Sequence, residues 1–289
     1  MSDKQVFLNG EYLPIPEAKV SVLDRGFIFG DGVYEVIPAY GNKPFRLDEH
    51  LKRLNNSLSA VRIENPYTET QWTAIFDRLL AQEKGDQSIY LHITRGVAPR
   101  DHGFPPETSP TVFVMCSPIP ATNPEYLEKG FTAITLDDIR WQYCRIKSIA
   151  LLPNILLRQE ALDNDAAEAI LIRAGYVTEG SASNMFIVKD GVIKTPPHSD
   201  QLLPGITRDL IVELAQQHAM ACEETEITEQ ELLSADEIWL SSSTKEVLPI
   251  TRLNNKPVGD GKPGAVWKTM YQHYQLYKQQ LRKQAEAQH

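Results

Sequence analysis

Short apolar runs separated by two-residue turns limit what this chain can fold into. Residues 5–8 and 11–13 flank Asn9-Gly10, a pair suited to a tight primed hairpin turn. Ala174-Gly175 and Asp190-Gly191 punctuate a second series at 168–173, 176–179, 185–189 and 192–195. Runs this short, joined by turns this tight, pair with their neighbours, so the sheets are expected to be antiparallel or mixed. Further strands are expected at 88–94, 111–116, 131–136 and 237–240. Helices are expected where the apolar period lengthens. One spans about 48–60, with Asp48 as N-cap and Leu51, Leu54, Leu58 and Val61 as its buried stripe. Others cover 69–82, 151–162, a segment capped by Thr207 with Leu210, Ile211, Leu214 and His218 on one side, and 265 to about 285 with Val266, Met270 and Tyr274. Pro118, Pro120 and Pro124 mark a linker at 119–124, dividing a domain at 1–118 from one at 125–289.

The 289 residues, 42% of them hydrophobic, are enough for two cores. A formal net charge of -9 argues against nucleic acid or an anionic membrane as the main partner, while leaving room for a small anion in a local basic pocket. Cys116, Cys144 and Cys222 are odd in number and far apart. They suggest neither a disulfide framework nor a zinc site, and fit a reducing cytoplasm. The polar start Met1-Ser2-Asp3-Lys4-Gln5 is followed by no long apolar run, so neither a signal peptide nor a membrane span is expected. No repeat, Walker phosphate loop, zinc-type His-Glu pair or nucleophile elbow is found, and no metal is expected.

Lys147 is the oddest charge in the chain. Ile146 precedes it on a segment read as extended, and Ile149 to Leu152 follow as an apolar run. An ammonium taken partly out of water gives up its proton more readily, and the free amine is a nucleophile able to form a Schiff base with an aldehyde. A surface lysine with its stem along apolar neighbours is the ordinary alternative. Glu179 ends a strand beside the loop Gly180-Ser181-Ala182-Ser183-Asn184, as a functional carboxylate or as a solvated one. Arg53 lies off the expected helix stripe, as a solvated arginine or as an anion ligand. The run Leu203-Pro204-Gly205-Ile206-Thr207-Arg208 opens a helix whose first N–H groups could seat a phosphate. Ser241-Ser242-Ser243-Thr244 could add hydroxyl and amide donors. Tyr34 alternates away from Val33, toward a cleft or simply into the sheet. Arg100 and His102 sit two apart on a proline-stiffened loop, as a carboxylate trap or as exposed polarity. The glycines of 26–32 have the wrong spacing for a dinucleotide fingerprint, and a strand rather than a helix follows them; they suit backbone bent closely around a packed site.

Together these parts match the needs of pyridoxal 5′-phosphate: an amine for its aldehyde, a carboxylate for its ring nitrogen, and cationic and backbone donors for its phosphate. The order of Asp24-Arg25-Gly26, Phe29-Gly30-Asp31-Gly32-Val33-Tyr34-Glu35, Asp48-Glu49-His50-Leu51, Ile146-Lys147-Ser148, Thr178-Glu179-Gly180-Ser181, Gly205-Ile206-Thr207-Arg208 and Glu246-Val247-Leu248-Pro249 resembles that of the class IV (fold type IV) pyridoxal-phosphate aminotransferases. The resemblance implies an α/β (α+β) fold of two domains, a smaller N-terminal α/β domain and a larger C-terminal mixed-sheet domain. It implies Lys147 as catalytic residue, with Glu179, Arg53, Ile206, Thr207, Ser243, Thr244, Leu203 and Ser183 around the cofactor. The loop from Thr94-Arg95-Gly96 to Arg100-Asp101-His102 is similar to that of the D-amino-acid transaminases. That similarity implies substrate carboxylate binding by Tyr34, Arg100 and His102, the last two acting across a homodimer interface in the partner's site. Branched-chain L-amino-acid relatives lack such an arginine–histidine loop and rank second; (R)-amine transaminases and aminodeoxychorismate lyases share the scaffold. Two departures stand out: Ala182, where the D-enzymes more often carry a third serine, and Leu248 in place of the usual threonine.

Overall fold

The computed structural model describes residues 4–121 and 124–286; positions 122 and 123 of the expected linker lie outside the described residues. The chain forms two compact units. The first comprises Met1–Pro120, Ile146–Leu151 and Gln280–His289, and the second Ala121–Arg145 and Leu152–Gln279. Boundaries at 118 and 125 thus miss two returns of the chain to the first unit, one of them carrying Lys147.

The first unit is built on strands β1 (Gln5–Leu8), β2 (Glu11–Pro14), β3 (Gly32–Tyr40), β4 (Lys43–Pro44), β5 (Gln87–Thr94) and β6 (Thr111–Pro118). They form one antiparallel sheet in the order β2-β1-β6-β5-β3-β4. Asn9 and Gly10 both adopt positive φ, closing the expected hairpin between Leu8 and Glu11. Helix α1 (Arg25–Phe29) precedes β3, and α2 (Leu47–Ala60) and α3 (Glu69–Leu80) cover the sheet. Val33 and Ile37 of β3 and Ile89, Leu91 and Ile93 of β5 alternate onto the face that meets Leu51, Leu54, Leu58, Trp72 and Phe76. Tyr34, Tyr90 and His92 take the other face. Two sequence expectations change here. The N-cap of α2 is Arg46, in a left-handed conformation, and Asp48 falls in the first turn. The buried side of α2 is also broader than one stripe. It takes His50, Arg53 and Ser57 as well as Leu51, Leu54 and Leu58, so Arg53 is buried rather than off the stripe.

The second unit contains β7 (Phe131–Asp137), β8 (Glu168–Arg173), β9 (Tyr176–Gly180), β10 (Asn184–Lys189), β11 (Val192–Thr195), β12 (Cys222–Glu224), β13 (Glu237–Ser242), β14 (Glu246–Leu253) and β15 (Lys256–Pro257). The order is β12-β11-β10-β13-β14-β7-β8-β9, with β15 beside β14. The β11–β12, β14–β7 and β7–β8 pairs are parallel and the others antiparallel, giving the mixed sheet expected from the short runs. The helices are α4 (Pro124–Lys129), α5 (Leu152–Asp163), α6 (Ile206–Gln217), α7 (Glu229–Leu233) and α8 (Ala265–Glu286). Leu157 and Ala161 of α5 pack on Ile134, Ala169 and Leu171. The buried side of α8 runs through Trp267, Met270, Tyr274 and Lys278 rather than Val266. Lys278 is tolerated there because its ammonium is paired to the buried Glu246 carboxylate. Helix α6 is capped by Gly205, not Thr207, and His218 is its C-cap residue. Among the described residues no helix is long and apolar enough to cross a membrane.

The turn from β5 toward the Arg100 loop depends on Gly96. Its φ is +102°, and a side-chain carbon there would run into the Ser109 carbonyl oxygen. Gly96→Ala should therefore cost at least about 2 kcal/mol, more than an ordinary surface change. A urea unfolding midpoint equal to that of the parent would contradict this account of the turn.

Candidate active site

Lys147 is held by backbone rather than by a helix or strand of its own. The start of β3 pairs with β5 on one side, which leaves its other edge open. Residues 146–149 occupy that edge. Tyr34 N–H donates to Lys147 O at 2.9 Å, Ile149 N–H donates to Gly32 O at 3.1 Å, and Val33 bridges Ser148. Ser148 N–H turns back to Ile146 O at 2.8 Å, so Lys147 is the centre of a three-residue turn. Its own N–H donates to the Ser57 hydroxyl of α2 at 3.2 Å. The side chain is half-buried, with Nζ 4.1 Å from the Tyr34 ring centroid, a cation–π distance.

Glu35 lies on the opposite face of β3, next to Tyr34 in sequence and fully buried. It meets α2: Arg53 donates to both its oxygens, Nε at 2.7 Å and Nη2 at 2.8 Å, and His50 Nδ1 lies 3.0 Å from Oε2. Arg53 and His50 hold the Glu35 carboxyl far below the usual carboxylate range, against the opposing effect of burial. Burial depresses His50, and Glu35 only partly restores it. Arg53 thus carries a fixed partner where the sequence allowed a solvated side chain. His50 and Glu35 had no role assigned from sequence. The usable signal was their phase: His50, Arg53 and Ser57 recur at helical spacing, and Glu35 shares the parity of Val33 and Ile37.

In the second unit Glu179 is 4% exposed. Arg140 Nη1 donates to its Oε1; Asn184 Nδ2 and Leu203 N–H donate to Oε2, each at 3.1 Å. Arg140 is gripped in turn by Asp138 through Nε and Nη2, both at 2.9 Å, and Asp138 also accepts from the Thr178 hydroxyl at 3.0 Å and pairs with Arg173 at 2.9 Å. Burial pushes Glu179 above the ordinary carboxylate range although Arg140 opposes it. The same contacts raise Arg140 above its usual value, so the guanidinium stays charged. Asp138, Arg140 and Asn184 carry no spacing signal in the sequence; their convergence is tertiary.

Asn184 Nδ2 also donates to Leu203 O at 2.8 Å, which ties Glu179 to the start of α6. Gly205 caps that helix without a side-chain bond. A side-chain carbon at Gly205 would strike the Asn184 amide oxygen, so the close approach needs glycine. Thr207 is 3% exposed, and its buried hydroxyl has no hydrogen-bond partner. An uncapped helix start beside an unsatisfied buried hydroxyl fits an anion such as phosphate. Ile206 is buried next to it. Arg208 is committed elsewhere, to Pro196 O at 2.9 Å and to Glu224 at 2.6 Å. Ser243 and Thr244 lie on the turn between β13 and β14. The Ser183 hydroxyl donates to the buried Glu168 at 3.1 Å. An amine, a carboxylate and phosphate donors are thus present, each with its own support, and the donor set fits pyridoxal 5′-phosphate. Among the described residues no group of His, Cys, Asp or Glu could hold a metal ion.

Arg100 and His102 are exposed. They flank Phe29, the Arg100 guanidinium 5.5 Å and the His102 ring 5.4 Å from its ring centroid.

The fold is that of a pyridoxal-phosphate aminotransferase. A branched-chain amino acid aminotransferase of T.th., solved with pyridoxamine 5′-phosphate, matches with a TM-score of 0.91 at 29% identity, covering 98% of this chain and 96% of that one. The branched-chain aminotransferase of Thermoproteus uzoniensis matches with a TM-score of 0.85 at 28% identity, covering 94% and 93%. The D-alanine aminotransferase of Bacillus licheniformis is 40% identical over 267 residues, 92% of this chain and 94% of that protein. That of Staphylococcus epidermidis is 40% identical over 275 residues, 94% and 97%. The signature of the family described as Amino-transferase class IV matches residues 32–253, and the chain belongs to that family.

Acidification tests the buried cluster on β3 and α2. Burial lowers the proton affinity of His50 in the folded chain, whereas in the unfolded one it takes up a proton below about pH 6.5. The native state should therefore lose stability as the pH falls from about 7 to about 5. His92, also depressed by burial, adds to the same slope. Unfolding midpoints measured across that range should fall less steeply for His50→Gln than for the parent; equal slopes would remove His50 from this role.

Proposed function

We propose that this aminotransferase interconverts D-amino acids and 2-oxo acids, with Lys147 as the catalytic residue. The observation that carries the reading is the placement of Lys147, a half-buried amine on a pinned turn with Nζ 4.1 Å from the Tyr34 ring centroid. Pyridoxal 5′-phosphate supplies an aldehyde that condenses with amines and a ring that draws electrons from the bonds at the substrate α carbon. Lys147 Nζ would hold that aldehyde between turnovers. Freed when the substrate amine takes its place, Nζ would take the proton from the substrate α carbon as base and deliver it as acid to the carbon that had been the cofactor's aldehyde. Glu179 would pair with the ring nitrogen. Burial favours the neutral carboxyl there, and a protonated nitrogen would supply the countercharge that an ionised one needs. Arg140, Asn184 and the Leu203 N–H aim the carboxylate. The α6 start at Ile206 and Thr207, with Arg53, Ser243 and Thr244, would bind the phosphate; Leu203 and Ser183 would border the ring.

Tyr34, Arg100 and His102 would bind the substrate carboxylate, so that the α hydrogen of a D-substrate faces Lys147. The first substrate would depart as a 2-oxo acid, its amino group left with the cofactor, and a second 2-oxo acid, such as 2-oxoglutarate or pyruvate, would accept that group. We place Arg100 and His102 in the partner's site of a homodimer. Exposed apolar side chains support this: Val97 lies close to them in sequence, and the segment of Val22, Leu23 and Phe27, with Phe27 74% and Val22 71% exposed, is tied to that loop by Ala98 N–H on Leu23 O and the Asp24–Val97 bridge. Three cysteines without disulfides accord with a reducing cytoplasm.

The D-alanine name of the curated relatives favours D-substrates; the branched-chain name of the solved relatives favours the L-specific reading. Turnover of D-alanine, L-leucine and an (R)-amine with 2-oxoglutarate separates them. D-alanine should react fastest, and a preference for L-leucine would overturn the proposal. Lys147→Ala should still bind the cofactor but barely turn over; near-normal transamination by it rules out the assigned base. Arg100→Ala should weaken substrate capture by about 1.5–3 kcal/mol, the worth of a charged hydrogen bond. An unchanged KM for D-alanine would dismiss the carboxylate role.

A further inference from the structure

The loop that carries Arg100 and His102 is exposed, yet its base rests on a buried charge cluster that the chemistry above does not use. Asp31, between α1 and β3, accepts from two arginines. Arg25 Nε donates to Oδ2 at 2.8 Å; Arg95 Nε donates to Oδ2 at 2.8 Å and its Nη2 to Oδ1 at 3.0 Å. The side chains of Arg25, Arg95 and Asp31 are only 4%, 8% and 13% exposed. Arg25 reaches the loop directly, with Nη1 donating to Asp101 O at 2.6 Å and to Gly103 O at 3.2 Å, the carbonyls on either side of His102. Arg95 reaches it by stacking, its guanidinium 3.7 Å from the Phe104 ring centroid. The other end of Arg95 is tied down, with Nη1 on Arg62 O at 3.0 Å and Nη2 on Val61 O at 2.7 Å. The neighbouring Asp24 fastens the loop's two stems, accepting from the Thr94 hydroxyl at 3.1 Å and the Thr111 hydroxyl at 2.6 Å. The exposed loop is thus clamped at 101, 103 and 104 by two guanidiniums that share one carboxylate.

We propose that Arg25, Asp31 and Arg95 are positioning residues for the substrate carboxylate, fixing the 100–104 segment so that Arg100 and His102 are presented in one geometry. The inference rests on the reading of Arg100 and His102 as the carboxylate donors. Its physical basis is pre-organisation: a donor that must be ordered during binding loses affinity, whereas one already held does not. The carbonyls of Asp101 and Gly103 need a donor that also reaches Asp31. A guanidinium does this with its fork of N–H groups, and a single ammonium serves one partner at a time. Lysine at position 25 should therefore rescue only in part.

The holoenzyme carrying Arg25→Gln is tested against Arg25→Lys, Phe104→Ala and Arg100→Ala. Phe104 is more than half exposed, so its removal spares the core while taking away the surface on which Arg95 lies. Arg25→Gln and Phe104→Ala should raise KM for D-alanine and for 2-oxoglutarate at least fivefold, with kcat within threefold of the parent and cofactor absorbance retained; Arg25→Lys should fall between. Independently of turnover, tryptic cleavage after Arg100, followed by mass spectrometry, should be at least fivefold faster in Arg25→Gln and in Phe104→Ala than in the parent. A loss confined to kcat, or an unchanged rate of cleavage after Arg100, overturns the inference. If Arg100→Ala itself leaves KM unchanged while cleavage still accelerates in the other variants, the carboxylate reading fails and the clamp on the loop stands.

Discussion

A strand edge left unpaired by its own sheet is the constraint on which the candidate chemistry depends. Between Gly32 and Val36, β3 has β5 on one side and only later gains β4 on the other. Its free Tyr34 N–H and Gly32 C=O need partners, and the segment around Lys147 provides them. Lys147 is located by these backbone bonds and by Ser57, none of which involves its own side chain. The ammonium can therefore change its partner or protonation without the turn losing its anchorage, as an amine that acts and returns requires.

The same β3 segment shows how alternation sorts chemistry from support. Tyr34 faces the lysine, and Glu35, one residue on, faces α2. Glu35 is ionised and out of water, a state that is tolerable because Arg53 binds both oxygens and His50 lies beside one of them. Deleting one partner of such a pair typically costs about 3–5 kcal/mol, since the other charge is left buried alone. Glu179 in the second unit is also met by an arginine, Arg140, with Asp138 behind it, but there burial outweighs the arginine and pushes the carboxyl above its ordinary range. In the second unit the buried acid is oriented by an arginine that Asp138 fixes from behind, whereas in the first Arg53 and Glu35 hold each other with His50 beside one oxygen. Directional contacts on both sides of the Arg140 guanidinium leave Glu179 few alternative poses.

The start of α6 follows a different logic. The donors there are backbone N–H groups that any helix start offers. What distinguishes this start is the lack of a side-chain cap at Gly205 and the buried, unpartnered hydroxyl of Thr207. A threonine capping the helix, as the sequence suggested, would have used its hydroxyl on the chain itself. Two positions beyond the cap, the hydroxyl is buried without a partner on the chain.

Local sequence was enough for most of the strand inventory, the Asn9-Gly10 hairpin, the mixed character of the second sheet and the lysine, acid and helix start to be considered. Each of these is written in local periodicity, turn chemistry or motif order. It misplaced the α2 and α6 caps by two residues each, because the observed caps, Arg46 and Gly205, make no side-chain cap bond and so give no side-chain signal of a cap. Only the assembled fold settles that Arg53 is buried, that Asp138 and Arg140 stand behind Glu179, that Lys278 can lie on the apolar side of α8, and that 146–151 belongs with the first unit. These outcomes have one physical cause. A charge or a free strand edge must find its partner wherever the fold places one, and a partner such as Ser57, 90 residues from Lys147, leaves no local trace in the chain.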